Sequence, residues 1–264
     1  MSDAFLFTAN QWVIGFGFFG LVLAASEAGF HLGRSAKKSI DEATKSQISL
    51  IQGAILAVLG LLLAFTMSMA VTRFEARKQL VLEESNAIGT AYLRAQLVPS
   101  PEGKEIANRL REYLDVRLEY YRTGVDIPAI RAARVRAVRV QDEFWSRAVA
   151  FAQKDPRSVT AGLLLQSLNQ VIDLESAQWM ATVNRVPETV ILEVSLVALF
   201  SAVLVGYLYG LGNRRHLLST ALLAAAITLV LIVTVDLDRS RRGFIQVGYQ
   251  PMIDLQDRLR MPAH

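Results

Sequence analysis

Polar residues at helical spacing are the most chemically suggestive feature of this sequence. Ser68, Thr72, Glu75, Gln79, Glu83, Asn86 and Thr90 follow one another at intervals of 4, 3, 4, 4, 3 and 4. On an α-helix such residues share one face. Val71, Phe74, Val81 and Ile88 fall on the opposite face. Several copies of this helix around an axis would line a wet passage. A single copy outside the bilayer would simply turn the stripe to solvent, and only Ser68 and Thr72 stand at membrane depth. Arg73, Arg77 and Lys78 follow directly. As a ring at a pore mouth they would attract anions by focusing the field. Cations at this place also anchor helices to lipid headgroups.

Other charged residues suggest less. Glu27, Glu193, Asp236, Arg241 and Arg242 are expected at the membrane border, near span ends, where a charge is inexpensive. Arg131, Arg134, Arg136 and Arg139 form an acid-free cluster without interleaved aromatics, expected to be a solvated helix face or one meeting anionic lipid. His31, His216 and His264 are scattered, without ligand spacing. There is no cysteine, and no nucleophile-elbow pattern. These features predict no catalytic residue, no metal ligand and no cofactor, and so not an enzyme. Gly15, Gly17 and Gly20 lie inside an apolar stretch and predict close helix packing rather than a phosphate loop.

The elements that must carry these residues follow from charge-free stretches. Residues 4–26, 46–72, 194–213 and 217–235 contain no Asp, Glu, Lys or Arg, and a hydrocarbon core needs about 20 apolar residues. Apolar residues make up 52% of the 264-residue chain and charged ones 20%. Four membrane-spanning helices are predicted. The first starts near Trp12 and is read as uncleaved, because Asp3 is the one charge before it and a signal peptide wants a basic start. No helix breaker ends the second span, so one helix is expected over 47–97, on the order of 75 Å long. Val98-Pro99-Ser100-Pro101 stops it. Three further helices are expected over 102–122, 129–154 and 158–183, parted by Gly124, Pro128 and Pro156. The fold class is all-α: four transmembrane helices with an extramembrane helical bundle inserted between the second and third spans. The predicted boundaries are 1–72 for the first two spans, 73–187 for the bundle, 188–237 for a transmembrane hairpin and 238–264 for a C-terminal tail.

Orientation is read from Lys and Arg in short loops. Arg34, Lys37, Lys38, Lys45, Arg214 and Arg215 fall on one side, while three arginines border the last span on the other. The short loops are expected in the cytoplasm of a bacterial cell, with both termini and the helical domain periplasmic. The net charge of +4 is read as orientation and lipid contact, not as nucleic-acid binding.

Two segments carry a resemblance. The first runs from Gly60 through Ala70 and continues with Arg73-Phe74-Glu75-Ala76-Arg77 and Asn86-Ala87-Ile88-Gly89-Thr90-Ala91-Tyr92-Leu93-Arg94. The second comprises Arg185-Val186-Pro187, Asp236-Leu237-Asp238-Arg239, Arg241-Arg242-Gly243 and Gln250-Pro251. Together they resemble the bacterial bestrophin-like membrane family, over nearly the whole chain. The resemblance implies remote kinship with bestrophins, pentameric anion channels whose second helix lines the pore. It implies that the segment from Phe65 to Asn86, with Ser68, Thr72, Arg73, Glu75, Arg77, Gln79 and Glu83, is the pore-facing or assembly helix. Bestrophins keep their termini and helical region in the cytosol, opposite to the loop-charge reading. The expected function is an oligomeric anion channel of the inner membrane, with lipid, further copies of the chain and small anions as partners. A non-conducting membrane sensor or scaffold is the alternative.

Overall fold

The computed structural model describes residues 10–239, 241 and 243–261. Eight helices carry the described chain: α1 (Gln11–Ala36), α2 (Glu42–Gln96), α3 (Glu102–Arg122), α4 (Ile127–Lys154), α5 (Val159–Val183), α6 (Glu188–Gly212), α7 (Leu217–Asp238) and α8 (Gln250–Arg260). No strand occurs among the described residues. Four of the helical stretches are long and apolar enough to cross a membrane: α1, α2, α7 and the stretch Val159–Gly212, whose apolar part is α6.

Local chemistry explains the boundaries. The Asn10 side chain accepts from the Trp12 N–H and starts α1. Asp126 and Ser158 do the same for α4 and α5, accepting from Ala129 and Ala161, so the first turns have partners for otherwise orphaned donors. Asn213 ends α6 in the left-handed conformation, φ 51°. The long helix foreseen from the missing breakers is one helix of 55 residues, without interruption between Thr72 and Glu83.

The chain divides into two compact units. The first holds residues 10–73, 185–239 and 243–245. Within it α1 packs lengthwise against α6 and over a shorter stretch against α7, while α6 and α7 touch little despite their four-residue connection. The α1–α6 crossing is set by Gly29 and Gly33 on one helix and Gly206 and Gly210 on the other. A Cβ at Gly29 would run into the Val203 carbonyl, and one at Gly206 into the Ser26 carbonyl. This small-xxx-small pairing lets two backbones touch where no water is left to expel. Gly17 and Gly20, expected to pack closely, have open space beside them, and Gly15 alone of that group meets a neighbour, Ile232.

Two aspartates close this unit. Asp238 accepts from the Val186 N–H at 3.0 and 3.1 Å. Asp236 accepts from Phe244 and Ile245 N–H groups, the shorter contacts being 3.0 and 2.9 Å. Gly243, with φ of 110°, lies against that carboxylate where no side chain would fit.

The second unit holds residues 74–184, 241 and 246–261. Ile88, Ala91 and Ala95 of α2 meet Ile106, Leu110, Leu114 and Leu118 of α3, Phe144 of α4, and Leu164, Leu168 and Val171 of α5 in one apolar core. Met252 and Leu255 of α8 belong to the same core. The segment expected to be a plain tail is therefore a structural helix, with Pro251 in its first turn.

Candidate functional site

The polar stripe on α2 has the geometry its spacing implies. Ser68, Thr72, Glu75, Gln79, Glu83, Asn86 and Thr90 are all exposed in the single chain. Of the opposite face, Val81 and Ile88 are buried and Phe74 is half-buried, while Val71 is exposed. In the first unit Leu59, Thr66 and Ala70 form the buried edge of the same helix. Phe65, 63% exposed, stands on its open side with Leu61 and Met69. The Thr72 hydroxyl donates back to the Ser68 carbonyl at 2.9 Å, and the Gln79 amide to Glu83 at 3.0 Å.

The three cations after the stripe part company. Lys78 is exposed and pairs with Glu75 at 3.8 Å. Arg73 is half-buried and reaches the Met69 sulfur at 3.8 Å. Arg77 is 5% exposed and lies inside the second unit. The expectation that all three share a pore-mouth or headgroup position fails for Arg77. It stands seven residues from the buried Ala70 and from the buried Glu84, on the face that the core covers.

The border charges divide in the same way. Glu27 pairs with Arg215 at 2.8 Å and with His31 at 3.1 Å, so the C-terminal end of α1 and the loop after α6 meet. Glu193 is exposed. Asp236 is a buried backbone acceptor, as described above. Arg241 donates to the Tyr120 carbonyl at 2.9 Å and the Gly124 carbonyl at 3.3 Å. It thereby caps the end of α3, where free carbonyls and the helix dipole favour a cation. Both were expected at the membrane border, near span ends. Each is held by backbone polar groups, which cannot be left unpaired inside a fold. Arg242 lies outside the described residues. Of the α4 arginines, Arg134 bonds Glu175 at 3.2 Å and stacks on Trp179, and Arg136 pairs with Glu119; neither is merely solvated.

A buried polar network, absent from the sequence expectations, occupies the middle of the second unit. Glu84 and Arg117, with side chains 0% and 1% exposed, form a two-point ion pair at 2.6 and 2.9 Å. The Tyr113 hydroxyl donates to Glu84 at 2.9 Å, and the Gln141 amide donates to Tyr113 at 3.2 Å. Arg117 also donates to the Gln178 Oε1 at 2.5 Å, and Tyr121 donates to the same oxygen. Burial, and then the Glu84 charge, push the Tyr113 and Tyr121 phenols well above their ordinary range. For Arg117 burial works against the charge, but the Glu84 carboxylate outweighs it and holds the guanidinium firmly protonated. The signal for this network was a Glu one position past the exposed stripe, about 100° round the helix from Glu83.

Comparison with known proteins places this arrangement. A bestrophin-like domain matches residues 19–252. Among solved structures, a mutant of the bacterial bestrophin homologue from Klebsiella pneumoniae, with one tyrosine replaced by alanine, superposes with a TM-score of 0.64 at 12% identity. The match covers 92% of this chain and 96% of that one. No curated protein matches.

Proposed function

Because the chain belongs to the bestrophin-like family, we propose that it is a homo-oligomeric ion channel of the bacterial inner membrane, passing small anions along an axis lined by copies of α2. The observation that carries this reading is the open face of α2. Seven polar side chains at helical spacing, continued upward by Phe65, have no cover from their own chain. Ser68 and Thr72 are the part of the stripe at membrane depth, where a helix that served packing alone would present lipid with an apolar face. A subunit of four spans fills its own interior with side chains, so a passage needs several copies. One Arg73 per copy within about 10 Å, a Debye length at 0.1 M salt, would repel unless anions or Glu75 compensate. Anion occupancy is what a channel entrance requires. The reading assigns no catalysis to the chain.

The test is anion flux into liposomes containing the purified chain, measured with the wild type and Arg73→Glu. Flux that falls in the variant supports the channel. A monomeric protein without flux overturns it and leaves the sensor or scaffold reading. The helices of residues 74–184 are, in this proposal, an extramembrane bundle between the second and third spans on the periplasmic side. Reporter fusions at Ser39 and Pro101 should then signal cytosol and periplasm respectively, and the reverse result would give the chain the orientation of the bestrophins.

A further inference from the structure

We propose that a cleft in the first unit binds one anionic phospholipid, with an acyl chain in the cleft and the phosphate at its cationic rim. The cleft lies where α1, α6 and the start of α7 come together, and α6 and α7 touch too little to close it. It measures about 310 Å³, within the range of about 300–1,000 Å³ common to ligand sites. Leu23, Ala24, Phe30 and Leu217 give it apolar walls, and Ser26 and Thr220 add two hydroxyls.

Three features select this occupant. The first is the setting. The helices that wall the cleft are long and apolar enough to cross a membrane. An apolar gap left empty forfeits contacts on every wall, and water finds few partners in one, so hydrocarbon fills it best. The second is the pair of hydroxyls. Ser26 is 5% exposed and Thr220 is half-buried, and neither hydroxyl has a hydrogen bond among the described residues. Ser195, Ser201 and Thr234, on the same helices α6 and α7, each donate to the carbonyl four residues back. Ser26 and Thr220 are thus open to an outside acceptor. Thr220 stands about 5 Å along α7 from its first residue, a depth that suits the ester oxygens of a glycerolipid whose phosphate sits at the loop. The third is charge. Residues 27–45 and 213–216 hold six Lys and Arg against three acids. Glu27, the acid of the lining, is engaged by Arg215 at 2.8 Å and His31 at 3.1 Å. Arg34, Lys37, Lys38 and Arg214 are exposed and form no ion pair among the described residues. A Cβ at Gly210 would lie 2.7 Å from the Arg34 nitrogen, so the end of α1 and the loop with Arg214 and Arg215 make one rim. A basic rim above a cleft between spans complements an anionic headgroup.

The site lies wholly within the first unit and rests on the spans lying in a bilayer, not on conduction, so its failure leaves the channel reading untouched. The experiment is native mass spectrometry of the full chain in neutral detergent, incubated with phosphatidylglycerol and phosphatidylcholine of identical acyl chains. One phosphatidylglycerol per chain should be retained, at least about tenfold in preference to phosphatidylcholine, and glycerol phosphate should not displace it. Arg34→Gln combined with Arg214→Gln removes two exposed cations, each worth about fivefold near an anionic headgroup, and should abolish most of that preference. Ala24→Phe, at an exposed position of α1, fills the cleft without changing charge and should weaken retention about tenfold. Equal retention of the two lipids, retention of neither, or displacement by glycerol phosphate would overturn the proposal. Retention that both variants leave unchanged would overturn it as well.

Discussion

Replacing Arg117 by Met tests how the second unit is held together. Glu84 is 0% exposed, and its carboxylate takes two bonds from Arg117 and one from Tyr113. Removal of the guanidinium leaves a buried charge with hydroxyl donors alone. Breaking a buried pair in this way costs about 3–5 kcal/mol, chiefly from the uncompensated charge. For a unit of this size the loss amounts to a fall in unfolding temperature on the order of 10–20 °C. Glu84→Gln should cost a similar amount by stranding Arg117. The double variant removes both charges, and the new amide still accepts from Tyr113, so it should be more stable than either single variant. Trp145 and Trp179 both belong to this unit, and their fluorescence reports its unfolding in detergent. Additive losses in the double variant, or a fall below about 3 °C for Arg117→Met, would refute the view that desolvated charge dominates here.

The chain lacks cysteine, so single cysteines report assembly cleanly. Ser68→Cys should cross-link between copies under mild oxidation, while Thr66→Cys, at a position 4% exposed within its own unit, should not. Gly206→Ala drives a methyl into the Ser26 carbonyl and should cost about 1–3 kcal/mol as overpacking, whereas Gly20→Ala, with open space beside it, should leave heat stability in detergent unchanged. In an alkaline absorbance titration, Tyr113 and Tyr121 should ionise only as the unit unfolds. The phenols of the unfolded chain lose protons near pH 10 while the folded pair keeps theirs. The unfolded state therefore binds fewer protons, and stability should fall progressively as pH rises above about 10.

The sequence by itself determined the spans, because a charge-free run longer than about 19 residues has few other uses than a hydrocarbon core. It also determined the unbroken α2 and the ends of its neighbours. Helix termination is a local matter of Pro, Gly and capping side chains: Ser158 and Pro187 sit where helices were expected to begin, whereas α4 begins at Ile127 rather than 129, with Asp126 as its cap and Pro128 inside its first turn. The exposed polar stripe was legible for the same reason, being a property of one helix. Which buried partners each residue would meet was decided by the tertiary structure alone. Glu83 and Glu84 are adjacent and chemically alike, yet one faces out and the other holds a guanidinium 33 positions away. Lys78 stays exposed while its neighbour Arg77 is enclosed. Gly29 lies at a crossing and Gly17 does not, because only the former has another backbone against it. Asp236 and Arg241, plausible border charges by position, became acceptor and donor for backbone groups that folding would otherwise strand. Burial of a polar group is settled by what arrives from distant elements, and periodicity along one helix carries no information about that arrival.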